Sequence, residues 1–446
     1  MQSCGTGTHG MRLLHCLLMG LFVGIGRSEA SFEQETPSVL PHQDKPAQPF
    51  LVLRPGRLFT GHGTPLENGT VILQGGKIHA VGKDLAIPVG AVVLDLPGRT
   101  VIPGLIDSAS RLMLAAGERS PGAAEQSVLD SLDHYLPDTQ EALRYGVTTV
   151  HLSPPGTGPI QGLGATLRPT PVHRILAKES ALKVSLASQP ETSSTAQRYE
   201  AYQQIRAAFE AARQYQKARE KYRKDLAEFD ARQKETAKTG ASPAEPQKVR
   251  MDRRNEVLLR ALDPSNPLPV RIEAHTPDAI FLALKLAEDF KLRAILENAT
   301  DGTGSAEAIA ASKIPVIAGP MFRYGIPQVD YLNHSVGLPG ALVRAGSPLA
   351  IASFGDDRAG HPGPGGTRFL LESAALACSG GLKPETALAA VTLEAARVLG
   401  LDKTHGSIEK GKAADLVVLS GDPFDPETVV ERTILDGETV YERRKD

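Results

Sequence analysis

Imidazoles and carboxylates at the ends of apolar runs are the groups in this sequence best suited to chemistry. His151 ends the run TTVHLSP, His275 stands in RIEAHTPDAI, His361 follows in AGHPGPGG, and Asp356 with Asp357 closes PLAIASFGDD. If those runs are strands opening on one cavity, His151, His275, His361 and Asp356 could hold a zinc-like divalent ion, since imidazole and carboxylate supply the lone pairs such an ion needs. A histidine standing alone is more often a hydrogen-bonded interior residue, and His275 is read that way first. Other chemistries find little support. There is no Gly-x-Ser-x-Gly elbow, and Cys378 lies inside the apolar stretch RFLLESAALACSGG, where a thiol is expected to be buried and inert. GTGPIQGLGATL is glycine-rich but lacks the Lys-Ser/Thr of a phosphate loop.

The elements that must position these residues alternate along the chain. Strand candidates are TVIPGLID, GVTTVHLS, VRIEAH, LRAILEN, IPVIAG and PLAIASF, and helices such as PDAIFLALKLAEDF and PETALAAVTLEAARVLG lie between them. The helices carry apolar residues three and four apart. Alternation over some 300 residues argues for parallel strands joined by crossover helices, with a barrel as the leading arrangement. On either side stand short runs broken by glycine. TVILQ and KIHAVG flank Gly75-Gly76, and ERTILDGETVYER repeats the hairpin pattern with Asp-Gly near the C-terminus. Two such segments at opposite ends of a chain are expected to share one small sheet.

One segment departs from this rhythm. STAQRYEAYQQIRAAFEAARQYQKAREKYRKDLAEFDARQKETAK has no Gly or Pro, and Tyr215, Tyr222 and Phe229 recur at intervals of seven in it. TGASPAEPQK then reads as a loop and VRMDRRNEVLLRAL as a return helix. Residues 196–262 are thus expected to form a helical hairpin, coiled-coil-like in composition, that packs on itself or the barrel wall, or serves as an arm for self-association or a partner protein.

The 446 residues carry 49 basic and 51 acidic side chains, a formal charge of -2 that gives no argument for nucleic acid or an anionic membrane surface. With no Trp and 5% aromatics, stacking platforms for sugars or bases are not expected. MRLLHCLLMGLFVGIGRSEA has the short apolar core of a signal peptide, and Ser28 with Ala30 gives a small-x-small cleavage pattern. Residues 1–30 are therefore expected to be a leader, with Met1 or Met11 as its start, and a retained membrane anchor is the alternative. The chain is expected to be exported, periplasmic or extracellular, and free of the membrane after cleavage. Cys378 alone would remain, so no intrachain disulfide is expected.

GTVILQGGKIHAVG, VIPGLID, EALRYGVTTV, EAHTPDAIFLALKLAEDFKLRAILEN and GSIEKGKAADLVVLSGDPFD, in this order and spacing, resemble the amidohydrolase superfamily, close to its imidazolonepropionase-like, secreted branch. The resemblance covers nearly the whole chain after the leader, except the insert. It implies an α/β fold, a (β/α)8 TIM-type barrel with a small β-sandwich built from both chain ends. The expected divisions are a flexible lead-in at 31–48, the first part of the sandwich at 49–100, the barrel at 101–400 and the rest of the sandwich at 401–446.

The chemistry implied is metal-assisted hydrolysis of a C–N or similar bond, in which the ion lowers the pKa of a bound water. The family places two His after the first strand, often a Lys after the fourth, a His after the fifth and sixth, and an Asp after the eighth. Carried onto this chain, the first pair falls on Ala109 and Arg111, the fifth-strand residue on His275, the sixth on Asn298 and the eighth on Phe354; no Lys stands clearly at the fourth. A two-residue shift of the last strand brings Asp356 to the mouth. Ala109 and Phe354 offer no donor atom, and the Arg111 guanidinium stays protonated. The expectation is a non-catalytic member with no catalytic residues and no metal, whose Arg111, His275, Asn298, Phe354 and Asp356 bind a small anionic ligand or line an assembly. Arg111 is expected to pair with Glu273, Glu297 or Asp301. The alternatives are an active hydrolase with an unorthodox zinc site, and an interaction protein acting through its insert.

Overall fold

The computed structural model describes residues 49–114, 122–133, 138–170, 174–187, 194–236, 244–322, 333–355 and 366–444. The expected leader and lead-in, Asp356 and His361 lie outside the described residues. From residue 47 on the chain is one contact unit. It begins with β1 (Leu51–Leu58), β2 (Leu66–Glu67), β3 (Thr70–Gln74), β4 (Lys77–Gly82) and β5 (Val92–Pro103). Between β3 and β4, Gly75 and Gly76 take φ of 58° and 76°, the left-handed pair that a two-residue hairpin requires.

The barrel strands follow: β6 (Leu105–Ser110), β7 (Val147–Leu152), β8 (Ile160–Leu167), β9 (Ile175–Ser185), β10 (Val270–Ala274), β11 (Ala294–Asn298), β12 (Val316–Ala318) and β13 (Leu349–Ile351). They lie side by side in chain order. The Phe354 N–H donates to Ala109 O at 2.8 Å, carrying the chain after β13 back onto β6. Every neighbouring pair is parallel except those of β8, which runs antiparallel to β7 and β9. The cause is connection length. Only residues 153–159 separate β7 from β8 and 168–174 separate β8 from β9, whereas a parallel crossover needs a dozen residues or more. The glycine-rich stretch GTGPIQGLGATL thus ends in a reversed barrel strand.

Helices cover the outside: α1 (Asp138–Arg144), α2 (Thr195–Thr236), α3 (Arg253–Ala261), α4 (Pro277–Phe290), α5 (Ala306–Ser312), α6 (Leu338–Ala345), α7 (Leu370–Ser379), α8 (Pro384–Ala390) and α9 (Leu393–Val398). α4 starts with Pro277 in its first turn, ends at Lys291 in the left-handed region, and buries Ala279, Ile280, Ala283, Leu286, Ala287 and Phe290. PETALAAVTLEAARVLG, read as one helix, breaks into α8 and α9 at Val391 and Thr392.

α2 is 42 residues long, about 63 Å at 1.5 Å per residue. Its first half buries Tyr202, Ile205, Phe209 and Ala212. Phe209 meets Phe290 of α4 with ring centroids 5.2 Å apart, and Arg213 lies over the same ring. The expected return helix is shorter than its sequence suggested, because residues 244–252 are not helical and only α3 continues it.

The last strands, β14 (Leu416–Leu419), β15 (Val430–Leu435) and β16 (Glu438–Glu442), rejoin the first sheet, whose order is β16-β15-β14-β5-β1-β3-β4 with β2 beside β1. Val101 of β5 faces Val418 of β14 in register, and both are fully buried with Leu53, Leu58, Leu73, Leu416 and Ile434.

Candidate functional site

Strands β9, β10 and β11 are apolar toward the helices and carry charged side chains toward the axis. On β10, Val270, Ile272 and Ala274 belong to the core shared with the helices. Because side chains alternate along a strand, Arg271 and Glu273 face the axis. Glu297 on β11 is the register partner of Glu273. Two carboxylates about 5 Å apart at an effective dielectric of 20 repel by roughly 3 kcal/mol, so this pairing needs cations close by.

Lys183 of β9 provides one. Its Nζ lies 3.4 Å from Glu273 Oε2 and 3.3 Å from Glu297 Oε2, with only 5% of the side chain exposed. Arg271 provides the second: Nε donates to Glu297 Oε1 and Nη2 donates to Ser108 O at 2.6 Å. His275 extends the chain of contacts, with Nε2 3.4 Å from Glu273 Oε1 and Nδ1 2.7 Å from Thr300 Oγ1.

The electrostatics follow from that arrangement. Burial alone would raise the Glu273 carboxyl, but Lys183, His275 and Arg111 outweigh it and hold the group well below the usual carboxylate range. Burial also opposes ionisation of Glu297. Arg271 and Lys183 prevail there too, with Glu273 pulling the other way, and the net shift is downward. Burial lowers the Arg271 guanidinium despite the nearby Glu297 and Asp107. His151 is pushed well below its ordinary value by burial, then by Arg271 and Lys183, so its ring is neutral at neutral pH.

Asp107, the last letter of VIPGLID, is buried where β6 meets the end of β13. Ser353 Oγ and Thr367 Oγ1 donate to its Oδ2, and the Ser353 N–H donates to Oδ1 at 3.1 Å. Burial raises its pKa in spite of these bonds.

The residues singled out from the sequence are distributed around this network. Ala109 is fully buried and packs with Ile106, Ile295 and Ile317. Arg111 is half-buried and acts on Glu273. Of the other carboxylates named for it, Glu297 is taken by Arg271 and Lys183, and Asp301 accepts from Asn333 Nδ2 at 2.8 Å. Asn298 takes φ 69° and turns its Nδ2 to Gly319 O at 2.8 Å, leaving Oδ1 buried without a hydrogen-bond partner among the described residues. Phe354, at φ 55°, packs toward the Ile106 and Ala109 cluster. Arg111 and His275 thus share Glu273, Asn298 bonds Gly319 and Phe354 packs toward Ile106 and Ala109.

Of the alternative metal set, only His151 and His275 lie among the described residues. His151 Nδ1 lies 3.1 Å from Ser180 Oγ and 3.3 Å from Thr166 Oγ1. Among the described residues no group of three or more His, Cys, Asp or Glu is placed to hold a metal ion.

Among the described residues, the side chains at the expected ligand positions do not suit a divalent ion. Ala109 and Phe354 have no lone pair to offer, Arg111 is a cation, and both nearby carboxylates already face Lys183 or Arg271. At an effective dielectric of 20, a dication 4 Å from one such unit charge is repelled by about 8 kcal/mol. Sequence reasoning missed Lys183 because β9 was not recognised as a strand. The detectable signal was a charged residue alternating with apolar ones in SALKVS, as in VRIEA and AILEN.

Comparison with known proteins gives this barrel its relatives. A family model described as "Amidohydrolase family" matches residues 361–441. The crystal structure of an amidohydrolase from Thermotoga maritima MSB8 superposes with a TM-score of 0.71 at 27% identity, covering 88% of this chain and 100% of that one. The chain belongs to the amidohydrolase superfamily. The imidazolonepropionase of Pseudomonas paraeruginosa (strain DSM 24068 / PA7) is 44% identical over 94 residues, 21% of this chain and 22% of that protein. That of Flavobacterium johnsoniae is 38% identical over 77 residues, 17% of this chain and 18% of that protein. The chain thus matches about a fifth of the length of these curated relatives. A Xaa-Pro dipeptidase crystallised with bound methionine shares the fold alone, with a TM-score of 0.51 at 16% identity over 88% of this chain and 100% of that one.

Proposed function

We propose that this chain is a non-catalytic amidohydrolase-superfamily member that has lost metal-assisted hydrolysis and keeps its barrel as a binding scaffold. The observation that carries the reading is Lys183 standing between Glu273 and Glu297 while Arg271 holds Glu297 from the other side. The protein's own cations neutralise the carboxylates of the barrel axis, a task that needs no ion from outside. Arg111, half-buried beside Glu273, supports a small carboxylate-bearing ligand at the mouth, near His275. The signal-peptide pattern in residues 1–30 supports action outside the cytoplasm. Isothermal titration of the mature chain with small dicarboxylates tests the ligand class, with Arg111→Ala as the control. Heat in the parent that disappears in the variant is expected; no heat in either protein removes the anion reading.

A second reading is supported by Lys183 and His275, which stand on the fourth strand and just after the fifth, where the resemblance implies a Lys and a His ligand. On this reading the chain hydrolyses a carbon–nitrogen bond, non-peptide or dipeptide-like, through an unorthodox zinc site. It expects turnover of such substrates that a chelator abolishes, and the first reading expects none.

A further inference from the structure

The outer half of α2 is built differently from the half that packs. Its bonds to α3 end at Tyr215 and Arg219, both of which bind Glu256. One turn further, Glu220 and Arg223 still share an open groove with Leu259, Arg260 and Asp263, at and just past the end of α3. From Arg213 to Lys234 no residue of α2 is buried, yet Tyr215, Arg219, Tyr222, Leu226 and Phe229 are half-buried while most others are exposed. Their spacing alternates four and three, the seam of an antiparallel or parallel helix pair.

The charges beside that seam select between those two arrangements. At 100° per residue, Arg223 and Asp230 flank one edge of the stripe, and Asp225 with Arg232 flanks the other. Each edge thus carries opposite charges seven residues apart. In a two-fold antiparallel pair each edge meets the same edge of its partner, reversed. A dyad between Leu226 and Phe229 sets Leu226 against the partner's Phe229, and each of the four charges against one of opposite sign. A parallel pair in register would set like against like.

We propose that the outer half of α2 is a self-association surface, pairing antiparallel with the same segment of a second copy of this chain. The inference is independent of the barrel reading. Arg232, 3.7 Å from Glu228 in an exposed pair, would exchange that contact for the partner's Asp225.

Sedimentation velocity of the mature chain across a concentration series tests the proposal, with circular dichroism to confirm folding. The parent is expected to dimerise. Arg223→Asp or Asp230→Arg alone alters two symmetric contacts and should weaken the dimer about tenfold, equivalent to roughly 1.4 kcal/mol. The double variant R223D/D230R should restore it. A parent that stays monomeric, with residues 244–252 covering the stripe instead, overturns the proposal. So does a dimer that ignores the single reversals, or a double variant no tighter than either single one.

Discussion

Replacing Lys183 with Met removes the cation between Glu273 and Glu297 while keeping a side chain of similar reach. Glu297 retains Arg271, and Glu273 retains His275 and the field of Arg111. Their mutual repulsion is then no longer countered from the middle. Removing one partner of a buried pair costs about 3–5 kcal/mol, and the lower end applies because other partners remain. At about 2.1 cal/mol/K per residue over roughly 400 residues, 3 kcal/mol lowers the midpoint of thermal unfolding by about 4 °C. The pH dependence gives a second check. Both carboxyls are held below their ordinary value, so their contribution is present above the unfolded pKa near 4.5 and is lost as pH falls through the folded values. Differential scanning calorimetry should therefore show the K183M deficit in full at neutral pH and shrinking below about pH 4.5. The double variant K183M/E273Q, which also removes the repulsion, should recover part of the loss. A K183M protein as stable as its parent at pH 7, or a double variant less stable than the single one, would refute the reasoning.

Other perturbations test the positioning of the site. A Cβ on Gly164 would stand 2.6 Å from His151 Nε2 and 2.9 Å from Leu152 O, so Gly164→Ala should cost about 1–3 kcal/mol in urea unfolding. Phe209→Ala empties the contact that seats α2 on Phe290 and should cost about 3–5 kcal/mol, read in the same assay. His405, next to Arg168 at the join between the barrel and the small sheet, is pushed down to about 4 by burial and then by Arg168. The unfolded chain then binds more protons below about pH 6.5, and stability falls as pH drops from there toward 4, by up to about 3 kcal/mol. Asp415, pushed up to about 6 by burial, acts in the opposite direction over nearly the same interval. In His405→Gln only the Asp415 effect remains, so calorimetry should show stability rising between pH 7 and 5 relative to the parent. An unchanged profile counts against the assignment.

Much of the fold was legible because the strands bounded by helices declare themselves by composition. VRIEA, AILEN and PLAIASF are apolar runs with covered faces, and the Gly-Gly and Asp-Gly hairpins fix the small sheet locally. β8 and β9 were not read, since IQGLGATL has three small residues among few β-branched ones and ILAKESALKVS carries five polar side chains. Losing β9 also lost Lys183, the residue that explains the two axial glutamates. The positions of Ala109, Arg111, Asn298 and Phe354 were readable from motif spacing. That Asn298 would turn to Gly319 and Phe354 toward Ile106 was not, because left-handed backbone at both residues redirects their side chains.

Metal content tests the central claim most directly. The purified chain should be incubated with zinc, dialysed, and analysed by inductively coupled plasma mass spectrometry. With Lys183 and Arg271 already neutralising the axial carboxylates, the account predicts zinc far below one ion per chain, unchanged by prior treatment with a chelator. A stoichiometric ion that survives dialysis and leaves with chelator would contradict it.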